Sequence, residues 1–175
     1  MGLKTGIEWT DATWNPVTGC TRVSAGCDNC YAARLASRLL RDHYKARPPV
    51  VPTPENMADP FSVRIWPERL SQPLRERRPR MIFVNSMSDL FHADVPEDFI
   101  RSVFEVMLEA DWHTYQVLTK RPARAARFFR RNADLFPRGT VPGHIWIGTS
   151  VENQGVTYRV AQLVSIPAEV RFLSC

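Results

Sequence analysis

Nowhere in the 175-residue chain does an apolar run approach the roughly 18 residues of a membrane helix, so the sequence reads as a soluble protein. The opening segment, MGLKTGIEWTD, carries an acid and lacks the apolar centre of a signal peptide. Gly2 follows Met1, but Gly6 stands where a myristoylation signal wants Ser or Thr, which excludes that anchor. No Gly-x-Gly-x-x-Gly run follows a strand candidate, which argues against a dinucleotide site. Neither a Ser-His-Asp arrangement nor a pair of carboxylates stands out, so hydrolytic chemistry has no support. Cysteine is scarce and unevenly placed. Three of the four, Cys20, Cys27 and Cys30, fall within eleven residues, and Cys175 ends the chain. The expected compartment is the reducing cytoplasm, where clustered thiols bind metal or do chemistry more often than they pair.

What is present has the composition of an ordinary globular protein, 44% hydrophobic and 23% charged, at a length that suits one domain over residues 1–175. The net charge is +5, and the arginines cluster. Six stand against two glutamates from Arg64 to Arg80, and five stand without an acid from Arg121 to Arg131. Such stretches suit the phosphates of nucleic acid, or form solvated helix faces.

Along the chain, YAARLASRLLRDHY spaces Tyr31, Leu35 and Leu39, and Ala32, Ala36 and Leu40, as a helix. An irregular proline-rich segment, 46–80, follows; within it FSVRIW alternates as a short strand and PERLSQPL suits a short helix opened by Pro67. From Met81 onward, apolar strands alternate with amphipathic helices. MIFVN precedes EDFIRSVFEVMLEA, TYQVLT precedes PARAARFFRRNADLF, and HIWIGTS precedes NQGVTYRVAQLVSI, with Val156, Val160, Leu163 and Val164 on one face. VRFLSC is a final strand. This rhythm implies an α/β fold with a parallel sheet, of open or partial (β/α) barrel type. Polar residues follow each strand: Asn85, Ser86, Ser88 and Asp89; Thr119, Lys120 and Arg121; Thr149, Ser150, Glu152 and Asn153. In barrel-like folds that end carries the site. No helix follows the last strand, so the barrel is expected to be incomplete, as in a C-terminally truncated chain.

The thiol spacing, Cys-x6-Cys-x2-Cys, lies just before a helix. Structural zinc wants four closed ligands, often as two pairs, and a second pair is missing here. A redox dithiol leaves Cys20 unexplained. Three thiolates suit a [4Fe–4S] cluster whose fourth iron stays open to a small molecule, the geometry by which radical enzymes bind S-adenosylmethionine. Gly19 and Gly26 would act as flexible points that let the loop wrap the cluster. Iron–sulfur, zinc and unmetallated thiols all remain open on spacing alone.

Four blocks, IEWTDATWNPVTGC…GCDNCYA, IFVNSMSDLFH, VLTKRP and IWIGTSVENQ, resemble a bacterial and phage-associated family of unknown function known by its three-cysteine motif. That family is grouped with the radical S-adenosylmethionine proteins and is distantly similar to spore photoproduct lyase. The resemblance spans nearly the whole chain. It implies a partial barrel, a [4Fe–4S] cluster on Cys20, Cys27 and Cys30, and S-adenosylmethionine at the strand ends. The family's own substrate is unassigned. Its likeness to the lyase, with the basic stretches, points to nucleic acid. Some members are paired with a separate partner protein, and no electron donor is implied. The usual motif spaces its first two cysteines more closely than the six residues found here, and its aromatic before the third cysteine is replaced by Asn29.

On this reading, Ser86, Ser88 and Asp89 meet the methionyl amine, and Lys120, Arg121, Thr149, Glu152 and Asn153 meet the carboxylate and ribose. Turn and helix caps offer a plainer role for Ser88, Asp89 and Asn153. His92, beside Phe91, is an acid–base candidate or a packed residue. Trp9 and Trp14 would shield the cluster. The rival function is a non-enzymatic zinc-binding module for nucleic acid or protein.

Overall fold

A computed structural model describes residues 1–2 and 5–175 of the chain. Its strands are β1 (Ala12–Trp14), β2 (Val17–Thr18), β3 (Arg64–Ile65), β4 (Met81–Val84), β5 (Thr114–Thr119), β6 (Ile145–Ser150) and β7 (Arg171–Ser174). Its α-helices are α1 (Tyr31–Arg38), α2 (Arg41–Lys45), α3 (Pro54–Ala58), α4 (Gln72–Arg75), α5 (Glu97–Glu109), α6 (Pro122–Arg131) and α7 (Tyr158–Val164). Five strands form one sheet in the order β1-β4-β5-β6-β7, every neighbour parallel. Strand order therefore follows chain order, with no reversal. The expected α/β class with a helix-flanked parallel sheet is what forms. Among the described residues, no helix is long and apolar enough to cross a membrane.

Register and alternation divide the sheet into two faces. Ala12 and Trp14 pair with Ile82 and Val84, which pair with Tyr115 and Val117, and these with Ile145 and Ile147. All eight are fully buried and join the main core. The helices supply the other half of that core. Ile100, Val103, Phe104 and Met107 of α5 point in as their spacing predicts, and α6 adds Ala125, Ala126, Phe128 and Phe129. Phe91, Phe104, Phe128, Phe129 and Phe136 stack there with centroids 5.2–6.3 Å apart. Phe83, Leu118, Ser150 and Ser174 turn to the opposite face and line a pocket.

Several local expectations change. The helix from Tyr31 stops at Arg38, because the amides of Leu39 and Leu40 both turn back to the Leu35 carbonyl. Only Ala32 and Ala36 are buried on it, and Leu39 is 78% exposed. On α7 the inward residues are Arg159 and Leu163, while Val164 faces solvent. Within 46–80 the strand shrinks to Arg64–Ile65, antiparallel to β2. Arg64 is fully buried and donates to the carbonyls of Arg47, Asn56, Asp59, Pro60 and Ser62. One guanidinium thus satisfies backbone acceptors that no regular ladder reaches here. Arg69 lies over the Trp66 ring at 3.9 Å. Arg64 and Arg69, two of the six arginines from Arg64 to Arg80, are engaged within the protein.

Candidate functional site

The pocket, about 380 Å³, opens at the C-terminal ends of β4, β5 and β6. Cys20, Cys27 and Cys30 all line it, and each is a half-buried free thiol. The loop that brings them there is clamped. Gly19 donates to the Met87 carbonyl at 2.9 Å, and Cys20 to that of Phe61 at 2.9 Å. Gly19 adopts φ +86°, and a Cβ there would sit 2.1 Å from the Ser62 carbonyl oxygen, so only glycine fits. At Gly26 a Cβ would meet the Glu152 side chain at 2.7 Å. These glycines permit close approach and are not free hinges. Cys27 ends the 3-10 turn Ala25–Cys27, and Cys30 precedes the first residue of α1.

The polar wall comes from the strand ends. Ser86, Ser88, Asp89, Lys120 and Arg121 all line the pocket, together with Asn85 and Ser150. Ser86 hydrogen-bonds the side chain of Asn15, and Ser88 donates to the Val17 carbonyl at 3.0 Å. Among the described residues, the Lys120 ammonium reaches only Ser150 Oγ, at 3.4 Å. Asn85 holds φ 58° at the end of β4, with its Oδ1 accepting from the Val17 amide at 3.3 Å.

Asp89 and Arg121 do not stand free. The Asp89 carboxylate accepts from Thr119 Oγ1 at 2.8 Å, from the amides of Phe91 and Lys120 at 3.0 Å each, and from Arg121 Nη1 at 3.1 Å. Arg121 Nη1 also lies 3.3 Å from Cys20 Sγ, and its Nη2 donates to Thr21 O at 3.0 Å and to Thr21 Oγ1 at 3.1 Å. Burial pushes the Cys20 thiol above its ordinary value, against the opposing pull of Arg121. His92 closes this chain of contacts. Its Nδ1 accepts from the Asp94 amide at 3.1 Å, which leaves Nε2–H to donate to Thr21 Oγ1 at 2.8 Å. Burial, then the nearby Arg121, lowers the His92 pKa.

The remaining expected residues lie outside the pocket wall. Thr149 is fully buried and donates to the Thr119 carbonyl at 2.7 Å, tying β6 to β5. Asn153 caps the 3-10 turn Gln154–Val156 by accepting from Gly155 at 2.9 Å. Glu152 accepts from the Ser24 hydroxyl and from Arg159 Nη1, the latter at 2.9 Å, and so fastens the cysteine loop to α7. Burial works to raise the Glu152 pKa, but the Ser24 bond and the Arg159 and Lys120 charges outweigh it and leave it lowered. Arg159, buried on α7, is the functional neighbour that sequence reasoning missed, since an arginine in a helix reads as solvent-facing. Trp9 lines the pocket, whereas Trp14, the other expected shield, is fully buried under the helices with Nε1 donating to Arg69 O at 2.8 Å.

Among the described residues, no group of three or more His, Cys, Asp or Glu side chains is gathered as on a single metal ion. Arg124 is likewise spent internally, donating to the carbonyls of His92 and Val95. Exposed arginines remain at Arg75, Arg77, Arg78, Arg127 and Arg130.

Neither a curated protein nor a solved structure matches this chain. A family model described as a protein of unknown function (DUF5131) matches residues 4–175, and the chain belongs to that family.

Proposed function

We propose that the chain is a radical S-adenosylmethionine-type iron–sulfur protein built on a partial (β/α) barrel. The observation that carries the reading is the convergence of Cys20, Cys27 and Cys30 on one pocket at the C-terminal ends of parallel strands. Strand order matching chain order is the order of a (β/α) barrel, whose sites sit at that end. Three thiolates suit an open-iron cluster better than a closed four-ligand zinc site. Cys20, Cys27 and Cys30 would hold the cluster, and when reduced it would supply the one electron that cleaves a sulfonium carbon–sulfur bond.

The chain's own residues divide the remaining work. Lys120, whose ammonium makes a long contact to Ser150, is the cation for a ligand carboxylate. The hydroxyl oxygens of Ser86 and Ser88 are acceptors for an ammonium. Asp89 and Arg121 hold the wall in place, and Trp9 covers its apolar side. Nucleic acid is the substrate class that the exposed arginines fit, and its binding would weaken steeply with salt.

The test is anaerobic reconstitution with iron and sulfide, followed by metal and sulfide analysis. The expected result is about four iron and four sulfide per chain, lost in Cys27→Ala. About one zinc per chain without sulfide would overturn the reading.

A further inference from the structure

We propose that Arg121 makes Cys20 unlike the other two thiols: as a positioning residue, it brings charge and a hydrogen bond to the Cys20 sulfur and sets the reduction potential of the cluster. The inference rests on the iron–sulfur reading above. Arg121 stands two residues past the end of β5 and immediately before the first residue of α6, with its amide donating to Thr119 Oγ1 at 2.8 Å, so its backbone is held at the strand end. Its guanidinium is spread over Cys20 Sγ (3.3 Å), Asp89 Oδ2 (3.1 Å) and both oxygens of Thr21 (3.0 and 3.1 Å). No rotation frees it for a ligand without breaking the pair with Asp89, where the side chains are 14% and 8% exposed. Asp89 is itself anchored by Thr119 and by the amides of Phe91 and Lys120. The planar fork of an arginine suits this shared geometry, which a lysine ammonium reproduces only in part.

Among the described residues, neither Cys27 nor Cys30 receives such a side-chain donor; the sulfur bonded by a guanidinium is that of Cys20. A positive donor at a cluster thiolate draws electron density from it and favours the reduced state, and water exclusion strengthens the effect. Loss of the donor therefore moves the potential in the negative direction.

The experiment is a potentiometric titration of the reconstituted full chain, with iron content measured on the same samples. Arg121→Met is expected to keep its iron and titrate at a more negative potential than wild type. Arg121→Lys should shift the same way by less. Arg124→Met is the control: that arginine lies in the first turn of α6, three residues after Arg121, but bonds the carbonyls of His92 and Val95, and the potential should stay where it is. If Arg121→Met sheds its iron, Arg121→Lys decides, a negative shift supporting the proposal and an unmoved potential overturning it. Loss of iron in both would make Arg121 a structural clasp and overturn the tuning role. An Arg121→Met cluster at the wild-type potential, or an equal shift in Arg124→Met, would also overturn it. Wild-type protein that takes up no iron or sulfide would instead remove the cluster reading on which it stands.

Discussion

The helix-covered face of the sheet is held by hydrocarbon, whereas the face bearing the pocket is held by hydrogen bonds and ion pairs. Under the helices, five phenylalanines pack against Tyr115, Val117 and their neighbours, with hardly a polar group among them. Across the sheet, Asp89, Arg121, Thr21 and His92 form one continuous chain of polar contacts, and Glu152 with Arg159 forms a second. Apolar packing is non-directional and tolerates small shifts in geometry; a network of fixed donors and acceptors positions groups sharply but adds little net stability. The molecule therefore separates the part that makes it fold from the part that aims its thiols.

That separation can be broken or sharpened by substitution. The largest effect belongs to the helix side: Phe104→Ala, in the middle of the aromatic stack, should cost about 3–5 kcal/mol by denaturant unfolding. On the pocket side, Asp89→Ala strands the Thr119 hydroxyl, the Lys120 amide and the Arg121 guanidinium. It should cost about 1–3 kcal/mol and loosen the Cys20 loop, seen as faster amide exchange at Thr21. A smaller effect attends His92. Its folded pKa lies below the ordinary 6.5, so the unfolded chain takes up its proton first as the pH falls. The stability it contributes is full above that value and is lost as the pH drops below it. His92→Gln should therefore flatten the fall in unfolding midpoint between neutral and mildly acidic pH. Least of all, Cys27→Ala should change the stability of the metal-free chain by no more than about 0.5 kcal/mol, while abolishing cluster loading. Equal losses from Phe104→Ala and Cys27→Ala would erase the distinction between the two faces.

Much of the fold was legible because its periodicities are long. TYQVLT coincides with β5, HIWIGTS exceeds β6 by His144 alone, and the inward face of α5 matches its spacing residue for residue. The strand β1 was hidden, since three residues, ATW, are too few to show a period and sit inside the block that the cysteines dominate. Trp14 looked like a shield for the same reason; its register on β1 turns it to the core instead. That three thiols crowd one stretch of chain was legible in the spacing; that all three line one pocket is what the structure adds. The contact between Asp89 and Arg121 was not, because it depends on β4 lying beside β5, which brings residues 32 apart in sequence to the same strand-end rim. Thr149, Glu152 and Asn153 share the right end of β6, but alternation, a loop contact and a helix cap direct them elsewhere. Residue type at a strand end narrows the candidates, and register decides among them.

The central claim is that three thiols on this rim hold a cluster with an open iron. Electron paramagnetic resonance of the anaerobically reconstituted, reduced chain, recorded with and without S-adenosylmethionine, tests it most directly. The account predicts a reduced [4Fe–4S] signal that shifts when S-adenosylmethionine is added and is absent from Cys27→Ala. A colourless, signal-free protein, or a cluster signal that the sulfonium leaves unchanged, would contradict it.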